Sequence, residues 1–250
     1  MDDSKTIETL RRMITESRIL CVFTGAGISC PSGIPDFRSE HGLYSGQNGR
    51  YAPEEIISHS FFMRHPDLFY EFYKAKMLYP DAQPNAAHQY FAALQSGARR
   101  VAVVTQNIDG LHQAAGSREV YELHGSALRN YCMRCGRRFG MEAVLAASGV
   151  PYCPDCGGII RPDVVLYEEP LDETVVSRAV DAIRAADTMI VVGTSLVVYP
   201  AAAYVRYFQG RHLVLINQSE TPYDGMAELA IHDDIIRVVS ALMRDAGIQG

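Results

Sequence analysis

Apolar residues recur at helical spacing in the first segment. Ile7, Leu10, Met13 and Ile14 line one side of a helix predicted over residues 4–16. The pattern then changes. Residues 18–24 form a short apolar run that stops at glycine, as a parallel strand buried on both faces does. Similar runs follow at 101–105, 188–193 and 212–217, each leading into polar or glycine-bearing residues. Helical patterns at 86–95, 172–186 and 200–208 separate them. Near the end, Ile235, Ile236, Val239, Leu242 and Met243 predict another amphipathic helix, with Gly247 near its stop. Strands alternating with helices predict an α/β fold: a Rossmann-like parallel sheet with helices on both faces.

Two stretches break this alternation. Residues 36–85 are rich in aromatics and turn residues, with helical patches at 53–58 and 66–78. Residues 128–162 hold four paired cysteines. These insertions are expected to pack together as a small helical and metal-binding domain. Residues 1–35, 86–127 and 163–250 would then form the sheet domain. The cleft between the two would lie at the carboxyl ends of the strands, where open α/β sheets bind ligands.

Composition narrows the classes. With 48 % hydrophobic residues in 250, a substantial core is available and dominant disorder is excluded. The net charge of −6 gives no global attraction for nucleic acid or anionic lipid, so neither nucleic acid nor membrane is an expected partner. No apolar run reaches the ~18–20 residues that span a bilayer, and Met1 to Lys5 is polar and acidic, unlike a secretory signal. A cytoplasmic monomer is expected.

Cys132 and Cys135 form one C-x-x-C pair and Cys153 and Cys156 another, separated by residues 136–152. Paired knuckles at this spacing close one tetrahedral thiolate site, and Zn²⁺ is the expected ion. Four thiolates leave no open position, so the metal is expected to be structural. Arg134, Arg137 and Arg138 are expected to form a solvated face rather than a nucleic-acid stripe.

Gly25-Ala26-Gly27-Ile28-Ser29 follows the first strand directly. Two glycines allow a tight turn and the approach of a diphosphate to bare amides. Position 30 is cysteine where a dinucleotide fingerprint places its third glycine, and no acidic residue follows at the end of a second strand about 20 residues on. A hydride-transferring dehydrogenase is therefore disfavoured.

The block 25–29, continued by Ser32-Gly33-Ile34-Pro35-Asp36-Phe37-Arg38, resembles the opening signature of the sirtuins, the NAD-dependent protein-lysine deacylases. Further blocks resemble the family in its order. They are Thr105-Gln106-Asn107-Ile108-Asp109-Gly110-Leu111-His112, Glu122-Leu123-His124-Gly125, the run Gly193-Thr194-Ser195-Leu196-Val197-Val198-Tyr199-Pro200-Ala201, and Ile216-Asn217. The short bacterial and archaeal members are the most similar in extent.

The resemblance implies NAD as a consumed cosubstrate and acyl-lysine proteins or peptides as substrates. It implies His124 as general base and His112 as structural. Asn107 would lie near the nicotinamide ribose and the entering water. Asp109, with the Ile108 backbone, would hold the nicotinamide carboxamide, and Gln106 the ribose. Gly25, Ala26, Gly27, Cys30, Asp36, Phe37 and Arg38 would form the rest of that half of the NAD site, Phe37 shielding the reactive sugar carbon and Arg38 contacting phosphate. Gly193, Thr194, Ser195, Asn217 and Asp234 would form the adenosine half. A loop at 40–51 would cover NAD. An ADP-ribosyltransferase would use the same site.

The substrate peptide would dock between Val164, Val165, Tyr167 and Glu168 on one side and Val198 and Tyr199 on the other, by main-chain hydrogen bonds. Glu168 stands where the family usually has glycine, and is expected to narrow the cleft or favour basic peptides. Tyr73 matches the tyrosine of a desuccinylating Tyr-x-x-Arg pattern, with Lys76 replacing the arginine. Lysine neutralises a carboxylate without the planar two-point contact. Deacetylation is therefore expected to be the main activity.

Overall fold

The computed structural model describes residues 3–36, 50–95 and 99–244. Six parallel strands form one sheet: β1 (Ile19–Thr24), β2 (Arg100–Thr105), β3 (Val120–Glu122), β7 (Thr188–Val192), β8 (His212–Ile216) and β9 (Leu229–Ile231). Their order across the sheet is β3-β2-β1-β7-β8-β9. The order reverses direction between β1 and β7, which are paired in register from Leu20 opposite Thr188 to Thr24 opposite Val192. A second, antiparallel sheet contains β4 (Gly125–Cys132), β5 (Arg138–Gly140) and β6 (Ile160–Val164), with β4 in the centre.

Alternation within the strands divides the parallel sheet's apolar residues between two faces. Leu20, Val22, Val101, Val103, Ile190 and Val214 pack against helices Asp3–Glu16, Ala86–Ala93 and Ile235–Arg244. Cys21, Phe23, Ala102, Val104, Met189 and Leu215 pack against helix Glu173–Ala185 and the segment Ala201–Tyr207. Both faces are covered, which is why these strands read as continuous apolar runs. The expected helix at 200–208 is a 3₁₀ helix, Ala201–Tyr207.

A third apolar cluster unites residues between Ile56 and Leu78 with residues between Ala127 and Leu166. Its centre is aromatic: Phe62 meets Phe69 edge-on at 4.8 Å, and Phe69 stacks on Tyr73 at 5.3 Å. The helices His59–Arg64 and Pro66–Lys76 supply these rings. Among the described residues, no helix is long and apolar enough to cross a membrane.

Candidate active site

A cavity of about 530 Å³ opens at the carboxyl ends of β1, β2, β7 and β8, where residues following each strand line it. It spans the point at which strand order reverses. Gly25, Gln106, Gly193 and Asn217, the first residue beyond each strand, all face it.

The loops after β1 and β7 pack backbone against backbone. Gly27 N–H donates to the Gly193 carbonyl at 2.8 Å, and Gly25 N–H to the Val192 carbonyl at 3.1 Å. A Cβ on Gly27 would stand 2.8 Å from Gly193 Cα, and one on Gly25 2.6 Å from Thr194 Cβ. The physical requirement for these glycines is therefore the close approach of the two loops, in addition to any exposure of amides to a ligand. Gln106 Nε2 donates to Thr194 Oγ1 at 3.1 Å, so the β2 loop reaches across β1 to the β7 loop.

His124 lines the cavity, and its Nδ1 lies 2.9 Å from the Gln106 carbonyl oxygen. A carbonyl can only accept, so Nδ1 carries the proton and Nε2 keeps the lone pair. Burial pushes the imidazole below its ordinary 6.5, against the opposing effect of the Gln106 bond. The ring is thus neutral near pH 7 with a basic nitrogen available. His112 is different. It is buried, bonded through Nε2 to Thr24 Oγ1 at 3.0 Å, and burial lowers it to about 3, with His88 as a lesser cause. Its ring is enclosed in the interior, with no place in the cavity lining.

Beside His124 lies a polar cluster. Asn107 Nδ2 donates to the Gly25 carbonyl and to Ser29 Oγ, both at 3.1 Å. Ser29 Oγ donates to Asp109 Oδ2 at 2.7 Å, and Leu111 N–H donates to Asp109 Oδ1 at 2.9 Å. Burial raises the Asp109 carboxyl above its ordinary value, opposed by those two hydrogen bonds. Ser29 is the residue that sequence reasoning did not single out. It sits inside the 25–29 block, but only the fold brings Asn107 and Asp109 to its hydroxyl.

The model of the family described as Sir2 matches residues 25–200. The chain belongs to the Sir2 family. It is 53 % identical to an "NAD-dependent protein deacetylase" of Clostridium acetobutylicum over 95 % of this chain and 98 % of that protein. It is 50 % identical to one of Cutibacterium acnes over 96 % and 98 %. Among solved structures it is similar to "Sir2-p53 peptide-NAD+", with TM-score 0.84, 42 % identity, and coverage of 97 % and 99 %. It is also similar to "Structure of Sir2Tm bound to a propionylated peptide", with TM-score 0.85, 39 % identity, and coverage of 97 % and 99 %.

In this Sir2-family chain the cavity gathers nearly all the residues the sequence pointed to. Ala26, Cys30, Asp36, Ile108, Ser195 and Asp234 line it with those already described. Burial, then Asp36, raises the Cys30 thiol, which therefore remains protonated near pH 7. Asp234 also caps the last helix, accepting from Ile236 N–H at 2.8 Å. Phe37, Arg38 and positions 40–49 of the expected covering loop lie outside the described residues.

Lys76, Val164, Val165, Tyr167, Glu168, Val198 and Tyr199 also line the cavity. Val165 N–H donates to the His124 carbonyl at 3.0 Å, which couples the segment 164–168 to the histidine. Tyr73 does not line the cavity. Its ring is fully buried against Phe69 in the third apolar cluster. Lys76, at the last position of the same helix, lines the cavity, whereas the Tyr73 ring one turn earlier is enclosed by the aromatic cluster. The Glu168 carboxylate is bonded to Ser60, through its N–H and its hydroxyl, both at 2.9 Å.

The four cysteine sulfurs lie within 4.8 Å of one another. Cys132 and Cys156 are 3.4 Å apart and Cys135 and Cys153 3.8 Å. A tetrahedron of sulfurs at the usual Zn–S distance has edges of about 3.8 Å, so the set fits zinc. Arg134 N–H points to Cys132 Sγ at 3.4 Å, and a Cβ on Gly158 would stand 2.8 Å from that sulfur. Arg134 also donates to the Cys156 carbonyl at 2.8 Å, and Arg137 pairs with Asp155. These arginines tie one knuckle to the other.

Proposed function

We infer that this chain is an NAD-dependent protein-lysine deacetylase that yields free lysine, nicotinamide and O-acetyl-ADP-ribose. The observation that carries the reading is the single cavity that joins three parts: a glycine-bearing turn at the sheet's switch point, a histidine with Nδ1 fixed and Nε2 free, and an edge suited to an extended peptide. The names of the relatives and the peptide and NAD+ complexes of the similar structures support it.

Bound NAD supplies a sugar carbon, C1′, from which nicotinamide departs as the acyl oxygen attacks. His124 accepts a proton at Nε2 from a ribose hydroxyl, so that this oxygen can take over the acyl group. The Gln106 carbonyl keeps the ring in the required tautomer and steadies the imidazolium that forms. Asp109 and the Ile108 backbone hold the carboxamide, and Asn107 orients the ribose and the entering water. Thr194, Ser195, Asn217 and the backbone of 25–27 hold phosphate and adenosine ribose. Val164, Val165, Tyr167, Glu168, Val198 and Tyr199 dock the peptide. Zn²⁺ held by Cys132, Cys135, Cys153 and Cys156 supplies a cross-link for the second sheet and takes no part in the chemistry. We place the sheet domain at 1–35, 86–127 and 163–250 and the small domain at 36–85 and 128–162.

The reaction preference follows from the same cavity. Lys76 stands in place of the arginine of a Tyr-x-x-Arg pattern and neutralises a carboxylate without the planar two-point contact, so acetyl-lysine is turned over faster than succinyl-lysine. Incubation with NAD and paired acetyl- and succinyl-lysine peptides, read by mass spectrometry, tests the function. Deacetylated peptide with equimolar nicotinamide and O-acetyl-ADP-ribose is expected. ADP-ribose left covalently on the peptide, with no acyl transfer, would refute it.

A further inference from the structure

The segment 165–169 is held against residues 57–60 by more than its backbone. Tyr167 N–H donates to the Ile57 carbonyl at 3.1 Å, and His59 N–H donates to the Tyr167 carbonyl at 3.0 Å. Those two bonds occupy the outer edge. The chain then turns, with Glu169 N–H bonded to the Leu166 carbonyl at 3.1 Å. Glu168 is the third residue of this turn and has φ of 76°. That position of a type II turn demands a positive φ and favours glycine, because a Cβ there crowds the backbone.

A glutamate in this place is strained unless its side chain provides something in return. Its carboxylate accepts from Ser60 N–H and Ser60 Oγ, both at 2.9 Å, in the first turn of helix His59–Arg64. Beside it, Glu169 bonds His59 Nδ1 at 2.7 Å and Leu166 N–H at 2.9 Å. Two consecutive carboxylates thus fasten the turn to the helix on one side and close it on the other. The segment they fasten lines the cavity and is bonded, through Val165 N–H, to the backbone of His124.

We propose that Glu168 is a positioning residue for the substrate peptide: its bonds to Ser60 replace the conformational ease of glycine and hold the cavity edge of 165–168 in the shape that pairs with an extended acyl-lysine peptide. The proposal rests on the deacetylase reading for the identity of the peptide. The carboxylate acts through the turn it anchors, so charge on the peptide is not what it reads.

The test compares Glu168→Ala, Glu168→Gly, Glu168→Gln and Ser60→Ala with the parent chain. Binding of a fluorescent acetyl-lysine peptide, calorimetric NAD binding, KM for each substrate, and amide hydrogen exchange of 165–169 are measured. Glu168→Ala keeps the strained turn and removes the anchor. Its peptide affinity is expected to fall about five- to tenfold, since only part of the two lost exposed bonds is felt at the peptide, with NAD affinity unchanged and exchange in 165–169 accelerated. Glu168→Gln, which keeps one acceptor, is expected to recover part of the loss. Ser60→Ala is expected to reproduce part of it from the other partner. Glu168→Gly tests the turn itself, and should gain in stability over Glu168→Ala while still exchanging faster than the parent. Parent-like peptide affinity and exchange in Glu168→Ala would overturn the proposal, as would equal loss of NAD and peptide binding. If the parent chain itself fails to bind acetyl-lysine peptide, the deacetylase reading fails, and the exchange data still decide whether Glu168 anchors the turn.

Discussion

Gly27→Ala isolates the contact on which the two central loops depend. Its added Cβ would lie 2.8 Å from Gly193 Cα, 2.9 Å from its oxygen and 3.1 Å from its carbonyl carbon. Ordinary carbon contacts lie at about 3.5–4.0 Å, so the loops must part by at least half an ångström, roughly. All three atoms are backbone, so no side chain can turn aside. Overpacking of this kind costs about 1–3 kcal/mol. Weakening the 2.8 Å bond from Gly27 N–H to Gly193 O costs about 1 kcal/mol more. The stiffer unfolded chain returns about 0.4–1 kcal/mol. A net loss of about 2–3 kcal/mol is expected from urea unfolding, together with at least tenfold weaker NAD binding by calorimetry, roughly. Gly116→Ala is the control. Gly116 has φ of 97° and nothing within 4 Å of an added Cβ, so only conformational strain applies. It should lose about 1 kcal/mol of stability and keep its NAD affinity. A Gly27→Ala chain with the parent's unfolding midpoint and NAD affinity would refute the loop-packing argument.

Other consequences are equally direct. Burial lowers His88 from 6.5 to about 4 and His112 to about 3. The unfolded chain therefore binds protons that the folded chain refuses, so stability is held above pH 6.5 and falls as pH drops toward 4. The slope is about 1.4 kcal/mol per pH unit for each histidine, measurable by urea titration from pH 7 to 4.5, and Thr24, bonded to His112, should report it in hydrogen exchange. The acid limb of the kcat/KM profile should have its midpoint below 6.5, because burial favours the neutral, active form of His124. One zinc per chain is expected by elemental analysis, and strong chelation or Cys153→Ser should remove it and lower the thermal midpoint.

The sheet was legible where strands are buried on both faces. Residues 18–24, 101–105, 188–193 and 212–217 carry unbroken apolar runs, and each appears as a strand. β3 and β9 have three residues apiece, too few to establish a period. The antiparallel sheet escaped notice because two of its strands have only three and five residues and the register is irregular between Ser126 and Asn130.

The site divided in the same way. Spacing alone exposed the four cysteines, and blocks of sequence exposed His124 and Asn107. Ser29 was not legible, because its importance lies in contacts to residues 78 and 80 positions away. The surroundings of Tyr73 were not legible either: its ring is enclosed by the aromatic cluster while Lys76, three positions on, lines the cavity. At Glu168 the departure from glycine was visible, but the partner that compensates for it, Ser60, lies 108 positions away and became visible only in the fold.

In the proposed reaction Nε2 of His124 is the nitrogen that takes the proton. The decisive measurement is acetyl-lysine turnover by His124→Ala, with NAD affinity determined calorimetrically on the same preparation. Turnover is expected to fall about 10²- to 10⁴-fold while NAD binding persists. Turnover at the parent's rate with NAD bound would contradict it.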